Sequence, residues 1–349
     1  MLEKKKRIST FDLLKGFGML CIVAGHLFDG FVYLFVFTFH VPLFLLIGGY
    51  FYHGEREKWK RHIRRLLKAY LFAVLSVLVL DLIKNLLQGM AVGNTPGFQE
   101  IGGLVSYWLL AGLYGSGSRN DFLSFDMPVI GAVWFLLAYI WVQIFMKLME
   151  AQTEKAGERE KRWIPPVTIF ILFVFGFWTA KVTWLPLSLQ AGCVSLLFFY
   201  LGYLEKKKLY DLVGNKSVIA VSCLIWGIAV LFSIRHDYMS LARCAFPDLP
   251  INLLGACAAA LVLFAAAKAL EDHCMLPWVR GWLEWIGRNT LPFLCFHLME
   301  MNVFPWELAD GLGLNPAWEQ ILIYCMKLMW CMLGIAAAER IKPLKRVFQ

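Results

Sequence analysis

Charge is scarce in this chain: 17% of its 349 residues are Asp, Glu, Lys or Arg, against 59% that are hydrophobic. Soluble domains charge roughly a quarter of their residues, so a water-soluble globular fold gives way to a polytopic membrane protein. The nine cysteines have no CxxC spacing, which argues against a zinc ribbon or a dithiol redox motif. Cys21, Cys193, Cys223, Cys257, Cys295, Cys325 and Cys331 lie in or beside apolar stretches and read as small core residues, with Cys244 and Cys274 less committed. No period of 20–50 residues suggests a repeat array. A basic start, residues 4–7, precedes an apolar run, but Ala24-Gly25-His26 makes a poor cleavage site. The first apolar segment is therefore expected to persist as an uncleaved span.

Long apolar runs are what the chain does have. They lie at about 11–30, 32–52, 66–88, 128–149, 165–181, 185–204, 217–235, 251–270, 284–304 and 318–338, each near the roughly 20 residues a spanning helix needs. The expected fold class is all-α: a polytopic integral membrane protein of about ten transmembrane helices, one domain over residues 1–349. A shorter glycine-containing stretch, 101–114, reads as a re-entrant or interfacial helix. The whole outer segment 89–127 suits either a cap over a pocket or a disordered loop.

The net charge of +9 could suggest nucleic acid, but its distribution argues otherwise. With ten alternating spans, 27 of the 34 Lys and Arg fall on the side of the N-terminus and only Arg119, Lys181, Arg235 and Arg243 on the other. That asymmetry places both termini in the cytoplasm. The partner implied is the lipid bilayer, with no nucleic acid.

Against this background, ionisable groups inside spans stand out, because each costs roughly 2.5–3.5 kcal/mol to insert. Lys15 and His26 lie eleven residues apart on the first span, about 16 Å along a helix axis. His26 and His297 fall roughly 20 Å from the inner face, and His40 roughly 12 Å from the outer one. Three histidines thus share one slab near the midplane. Interhelical hydrogen bonding would account for any one of them. For a metal, the close ligand pair is missing, and no metal site is expected. Acid–base chemistry fits better, since the imidazole pKa lies nearest working pH.

Asp12 and Lys15 form an i, i+3 pair that either neutralises itself or turns Lys15 toward an anion with Asp12 orienting it. Glu300 stands one turn past His297, and Asp29 one turn past His26; either could fix an imidazole tautomer. Asp81, Lys84 and Lys327 read as interhelical pairs or snorkelling side chains. The basic stretch 56–68 reads as a helix extension at an anionic membrane surface or as a phosphate cradle built on Arg64 and Arg65. Trp108, Trp134, Trp184 and Trp306 suit either sugar stacking or membrane interfaces.

Five local patterns carry a resemblance: Asp12-Leu-Leu-Lys15-Gly16 with His26 eleven residues after the lysine; Phe39-His40-Val-Pro42-Leu-Phe44 running to Gly48-Gly49-Tyr50; Arg61-His-Ile-Arg64-Arg65-Leu-Leu-Lys68; Val133-Trp134-Phe135-Leu136; and Ile286-Gly287-Arg288-Asn289-Thr290 running into Phe296-His297. In this order they resemble the acyltransferase family 3 membrane proteins, which include many bacterial surface-polysaccharide O-acetyltransferases. Arginine is frequent in that family at the Lys15 position, and serine at the Gly48 position. The lysine is similar to that of the fucose 4-O-acetylase-like branch.

The resemblance implies a multi-pass protein of the bacterial plasma membrane that moves an acetyl group from acetyl-CoA to a hydroxyl of a cell-envelope polysaccharide or lipid-linked glycan. It implies no bound cofactor, since acetyl-CoA is a substrate. His26 would serve as general base, with His40, His297, Asp12 and Lys15 completing the catalytic set. Arg64, Arg65, Arg288 and Asn289 would hold the donor. The alternative reading is a transporter or flippase for a sugar or lipid-linked glycan, with the histidines as a proton relay.

Overall fold

A computed structural model describes residues 9–118, 121–122, 125–273, 276–306, 313 and 315–349. The basic run 4–7, Arg119 and Cys274 lie outside the described residues. In chain order the helices are α1 (Ser9–Leu27), α2 (Phe31–Phe37), α3 (His40–Tyr50), α4 (Arg56–Val92), α5 (Phe98–Tyr114), α6 (Trp134–Lys155), α7 (Glu158–Thr179), α8 (Leu189–Leu204), α9 (Leu209–Gly214), α10 (Lys216–Arg235), α11 (Leu249–His273), α12 (Pro277–Arg288), α13 (Thr290–Val303), α14 (Pro316–Arg340) and α15 (Lys342–Phe348). The β-structure among the described residues is one two-residue hairpin, β1 (Asp121–Phe122) with β2 (Phe125–Asp126). The protein is all-α and multi-pass: nine helical segments among the described residues are long and apolar enough to cross a membrane.

Two expected spans are each broken into two helices, and a proline explains both breaks. Within a helix, a proline lacks the N–H that would bond the carbonyl four residues back, and its ring collides with that carbonyl. For Pro42 the affected residue is Thr38, where α2 stops and α3 begins. For Pro292 it is Arg288, the last residue of α12, and Asn289 after it takes non-helical angles (φ −119°, ψ 33°). Each proline then sits in the first turn of the second helix, where the missing N–H has no intrahelical partner to lose. The expected ninth span, 284–304, thus becomes a strongly amphipathic α12 joined to a 14-residue α13. At 1.5 Å per residue α13 is about 21 Å long, too short to cross a bilayer alone. Its residues Leu291–Cys295 and His297–Glu300 are buried inside the bundle.

Helix α5 folds back along α4. Trp108 Nε1 donates to Asp81 Oδ2 at 2.8 Å, and Tyr70 Oη donates to the Gly112 carbonyl at 2.6 Å. Rising residue numbers on α5 therefore meet falling ones on α4, as a returning helix must. Asp81 is held between helices, in line with the interhelical pairing expected of it.

Glycines set the closest helix contacts. On α12, a Cβ at Gly287 would collide with the Asp12 carbonyl oxygen of α1, and one at Gly16 with the Leu283 carbonyl oxygen. The α3–α8 contact repeats the device: a Cβ at Gly49 would strike the Phe199 carbonyl, and one at Gly202 the Leu46 carbonyl. Small residues at such crossings let backbones approach and van der Waals packing hold the helices together. Hydroxyls at the start of α1 tie it further, Ser9 to Glu284 and Thr10 to Glu271.

Gly287→Ala should therefore lower the melting temperature of the detergent-purified protein, with overpacking costing about 1–3 kcal/mol. Gly281→Ala on the same helix meets open space and should leave it unchanged. Equal melting of the two variants would contradict the packing described.

Candidate active site

The two helix breaks deliver two of the three histidines. His40 opens α3 and His297 lies in the second turn of α13, while His26 comes from the last turn of α1. The rings of His26 and His297 are centred 5.4 Å apart. Phe37 packs edge-on against both other rings, 4.6 Å from His40 and 6.5 Å from His26. The three imidazoles placed at one depth by topology are thus gathered into one cluster.

Their surroundings differ. His40 is buried and its Nδ1 lies 2.9 Å from the Val36 carbonyl near the end of α2, which also accepts the Phe39 backbone N–H at 3.2 Å. A carbonyl can only accept, so Nδ1 carries the proton and neutral His40 presents Nε2 as a base. His297 is fully buried, and its Nδ1 stands 2.7 Å from Glu300 Oε1. The same reasoning puts the proton on Nδ1 and leaves a lone pair on Nε2, which has no hydrogen-bond partner among the described residues. His26 alone of the three is exposed, and it lines the central cavity.

Glu300 anchors this arrangement from behind. Lys327 on α14 places Nζ 2.5 Å from Oε2, and Trp306 Nε1 donates to the same oxygen at 3.1 Å. The Lys327 ammonium also sits over the Trp306 ring, 4.6 Å from its centroid. A buried carboxylate is tolerable only when its oxygens are met by donors and its charge is balanced. Both conditions hold here. Lys327 is an interhelical partner, as expected of it, and Glu300 fixes a tautomer. Asp29 is exposed beyond the end of α1.

The cavity measures about 840 Å³, within the roughly 300–1,000 Å³ usual for small-molecule sites. His26, His40 and Lys15 line it, as does Arg65 toward the basic end with Trp59 and His62. Lys15 is paired with Asp12 at 2.7 Å, and Asp12 is buried. Arg64 is exposed and lines neither cavity. One residue along a helix turns the side chain by about 100°, so two adjacent arginines cannot both face inward. Arg288 and Asn289 lie instead on a second cavity of about 600 Å³ beside Lys345, and Arg65 lines both. Among the described residues no three His, Cys, Asp or Glu side chains are grouped as metal ligands.

Of the four tryptophans weighed for sugar stacking, Trp108 and Trp184 are buried in the core, Trp306 bonds to Glu300, and Trp134 lines the cavity, as Trp59 also does. Sequence reasoning did not single out Tyr33, Tyr139, Tyr238 or Arg243, which also line it. Tyr139 explains the glycine at position 48: a Cβ there would run into the Tyr139 hydroxyl. A side chain at position 48 and this phenol are mutually exclusive in the observed packing.

Residues 8–336 match a family model described as an acyltransferase domain. The chain is also similar to nodulation protein NolL of Sinorhizobium fredii, 22% identical over 234 residues, which cover 64% of this chain and 56% of that protein. It thus spans little more than half the length of that relative. No solved structure matches.

Removing Lys327 leaves the Glu300 carboxylate buried and uncompensated, a change that costs about 3–5 kcal/mol. Lys327→Met should therefore melt well below wild type in detergent, and adding Glu300→Gln should restore much of the loss. A single variant as stable as wild type would show that the pair is not an ion pair.

Proposed function

This chain belongs to that acyltransferase family, and on this premise we propose that it is an O-acetyltransferase taking acetyl-CoA as donor and a hydroxyl of a cell-envelope glycan or lipid-linked glycan precursor as acceptor. One observation carries the reading. A solvent-accessible imidazole, His26, faces a cavity whose other end holds Arg65, and a buried His297–Glu300 pair stands directly behind it.

A sugar hydroxyl is a poor nucleophile at neutral pH, and a positioned base gives about 10²–10⁴-fold. His26 takes the proton of the acceptor hydroxyl as its oxygen attacks the thioester carbonyl carbon. The C–S bond breaks, the C–O ester bond forms, and the proton on His26 passes to the departing thiolate. Coenzyme A leaves as the thiol, and the imidazole returns neutral. His297 positions His26: Glu300 holds its Nδ1 proton, which turns the Nε2 lone pair outward. His40, fixed by the Val36 carbonyl, closes the other side of the cluster.

The donor's phosphates are assigned to the basic end. Arg65 lines both cavities, and Arg288, Asn289 and Lys345 line the second. A planar guanidinium suits phosphate geometrically. The acyl arm then runs up the larger cavity past Lys15, whose charge is shared with Asp12. Arg64 contributes at most to attraction at the surface.

His26→Ala, shown to insert and to elute from gel filtration in detergent as wild type does, should lose at least about 10²-fold in ester-linked acetate transferred from radiolabelled acetyl-CoA to envelope sugars. Acetylation at the wild-type level would remove His26 from catalysis.

A further inference from the structure

The end of the cavity away from Arg65 carries a cation that the acyl-transfer chemistry does not use. Arg243 lines the cavity and is exposed there. Two other cavity-lining cations face carboxylates, Lys15 with Asp12 and Lys58 with Glu55 at 2.7 Å, while Arg65 lies toward the opposite end. Arg243 instead stacks on the ring of Tyr238, its guanidinium carbon 4.6 Å from the centroid, and no carboxylate lies within ion-pair distance of it among the described residues. Asp237, next along the chain from Tyr238, is exposed and accepts the Tyr238 backbone N–H at 2.8 Å.

The backbone holding Arg243 is built rather than loose. Ser240 and Ala245 exchange two backbone hydrogen bonds of 2.9 Å, closing a turn around Leu241–Arg243. Cys244 completes it at φ 49°, a left-handed conformation that a residue other than glycine rarely adopts. Leu241 and Cys244 are buried beneath the turn, and Ser118 Oγ donates to the Ala242 carbonyl at 3.3 Å. Cys244 thereby finds its place as a packing residue of this turn.

Ring contacts then link the cation to the reacting imidazole. Tyr238 packs edge-on against Tyr33 at 4.8 Å and Phe37 at 4.9 Å, and Phe37 touches both His26 and His40. Arg243, two half-buried phenols, His26 and His40 therefore line one cavity together. A guanidinium held over an aromatic ring keeps N–H groups for a ligand, and those groups match a carboxylate or a phosphate.

We propose that Tyr33, Tyr238 and Arg243 form an acceptor subsite selecting a glycan that carries a negative charge, a uronate carboxylate or a sugar phosphate, close to the hydroxyl to be acylated. The proposal rests on the acyl-transfer reading for its meaning, but binding tests it without turnover. Three probes share one tetrasaccharide frame: a uronate-containing form, its carboxyl-reduced neutral counterpart, and the neutral form bearing a sugar phosphate. Each is titrated into the detergent-purified full chain by calorimetry, for wild type, Arg243→Gln and Arg243→Lys.

At least one anionic probe should bind about tenfold or more tightly than the neutral one, as a charge-assisted contact provides. Which one does so separates carboxylate from phosphate. Added salt should shrink the preference. Arg243→Gln should abolish it while leaving neutral binding unchanged, and Arg243→Lys should keep part. Equal binding of all three probes to wild type, or a preference that survives Arg243→Gln, overturns the subsite. A preference observed in a protein that transfers no acetyl from acetyl-CoA would keep the subsite and refute the acyl-transfer reading instead.

Discussion

A carboxylate with no exposure to water governs this structure. Glu300 is acceptable in the bundle because Lys327 balances its charge and because Trp306 and His297 donate to its oxygens. Meeting those partners fixes the register of α13 against α14. It also fixes the orientation of the His297 ring, and through it the environment of His26. An apolar residue at position 300 would free both helices to slide and the imidazole to rotate. The polar network and the site geometry are therefore one constraint.

The broken helices serve the same end. Pro42 and Pro292 stop their helices where an unbroken span would continue, so α3 and α13 begin within the molecule. His40 lies at the first of these starts and bonds back to the Val36 carbonyl of the preceding helix. Irregular backbone inside a membrane is viable where the protein itself satisfies the exposed groups or where a cavity adjoins. Both hold here. Glycines at positions 49 and 202 then let the backbones of α3 and α8 close on each other, and those at 16 and 287 do the same for α1 and α12.

Much of this was legible in the sequence, and the limits have physical causes. Apolar length gave the spans. Helical spacing marked Glu300 as able to fix the His297 tautomer, because an i, i+3 pair shares a face. The partnership of Glu300 with Lys327 was not legible: the two sit on different helices, 27 residues apart, and no single-chain periodicity encodes the register between helices. Arg64 and Arg65 were indistinguishable as charges, although only one can face the cavity. Arg243 looked like an ordinary charge outside the membrane, since its place on the cavity wall comes from a turn that folds back over the helix ends. Trp108 and Trp184 read equally as sugar platforms, but their indoles are packed in the core.

On the proposed function, a thioester entering at the Arg65 end reaches His26 through the cavity. A cryo-electron microscopy structure of the protein with a non-hydrolysable thioether analogue of acetyl-CoA tests this directly. Density is expected with the phosphates at Arg65 and the acyl end beside His26. An analogue bound with its acyl arm outside the cavity, or turned away from His26, would contradict it.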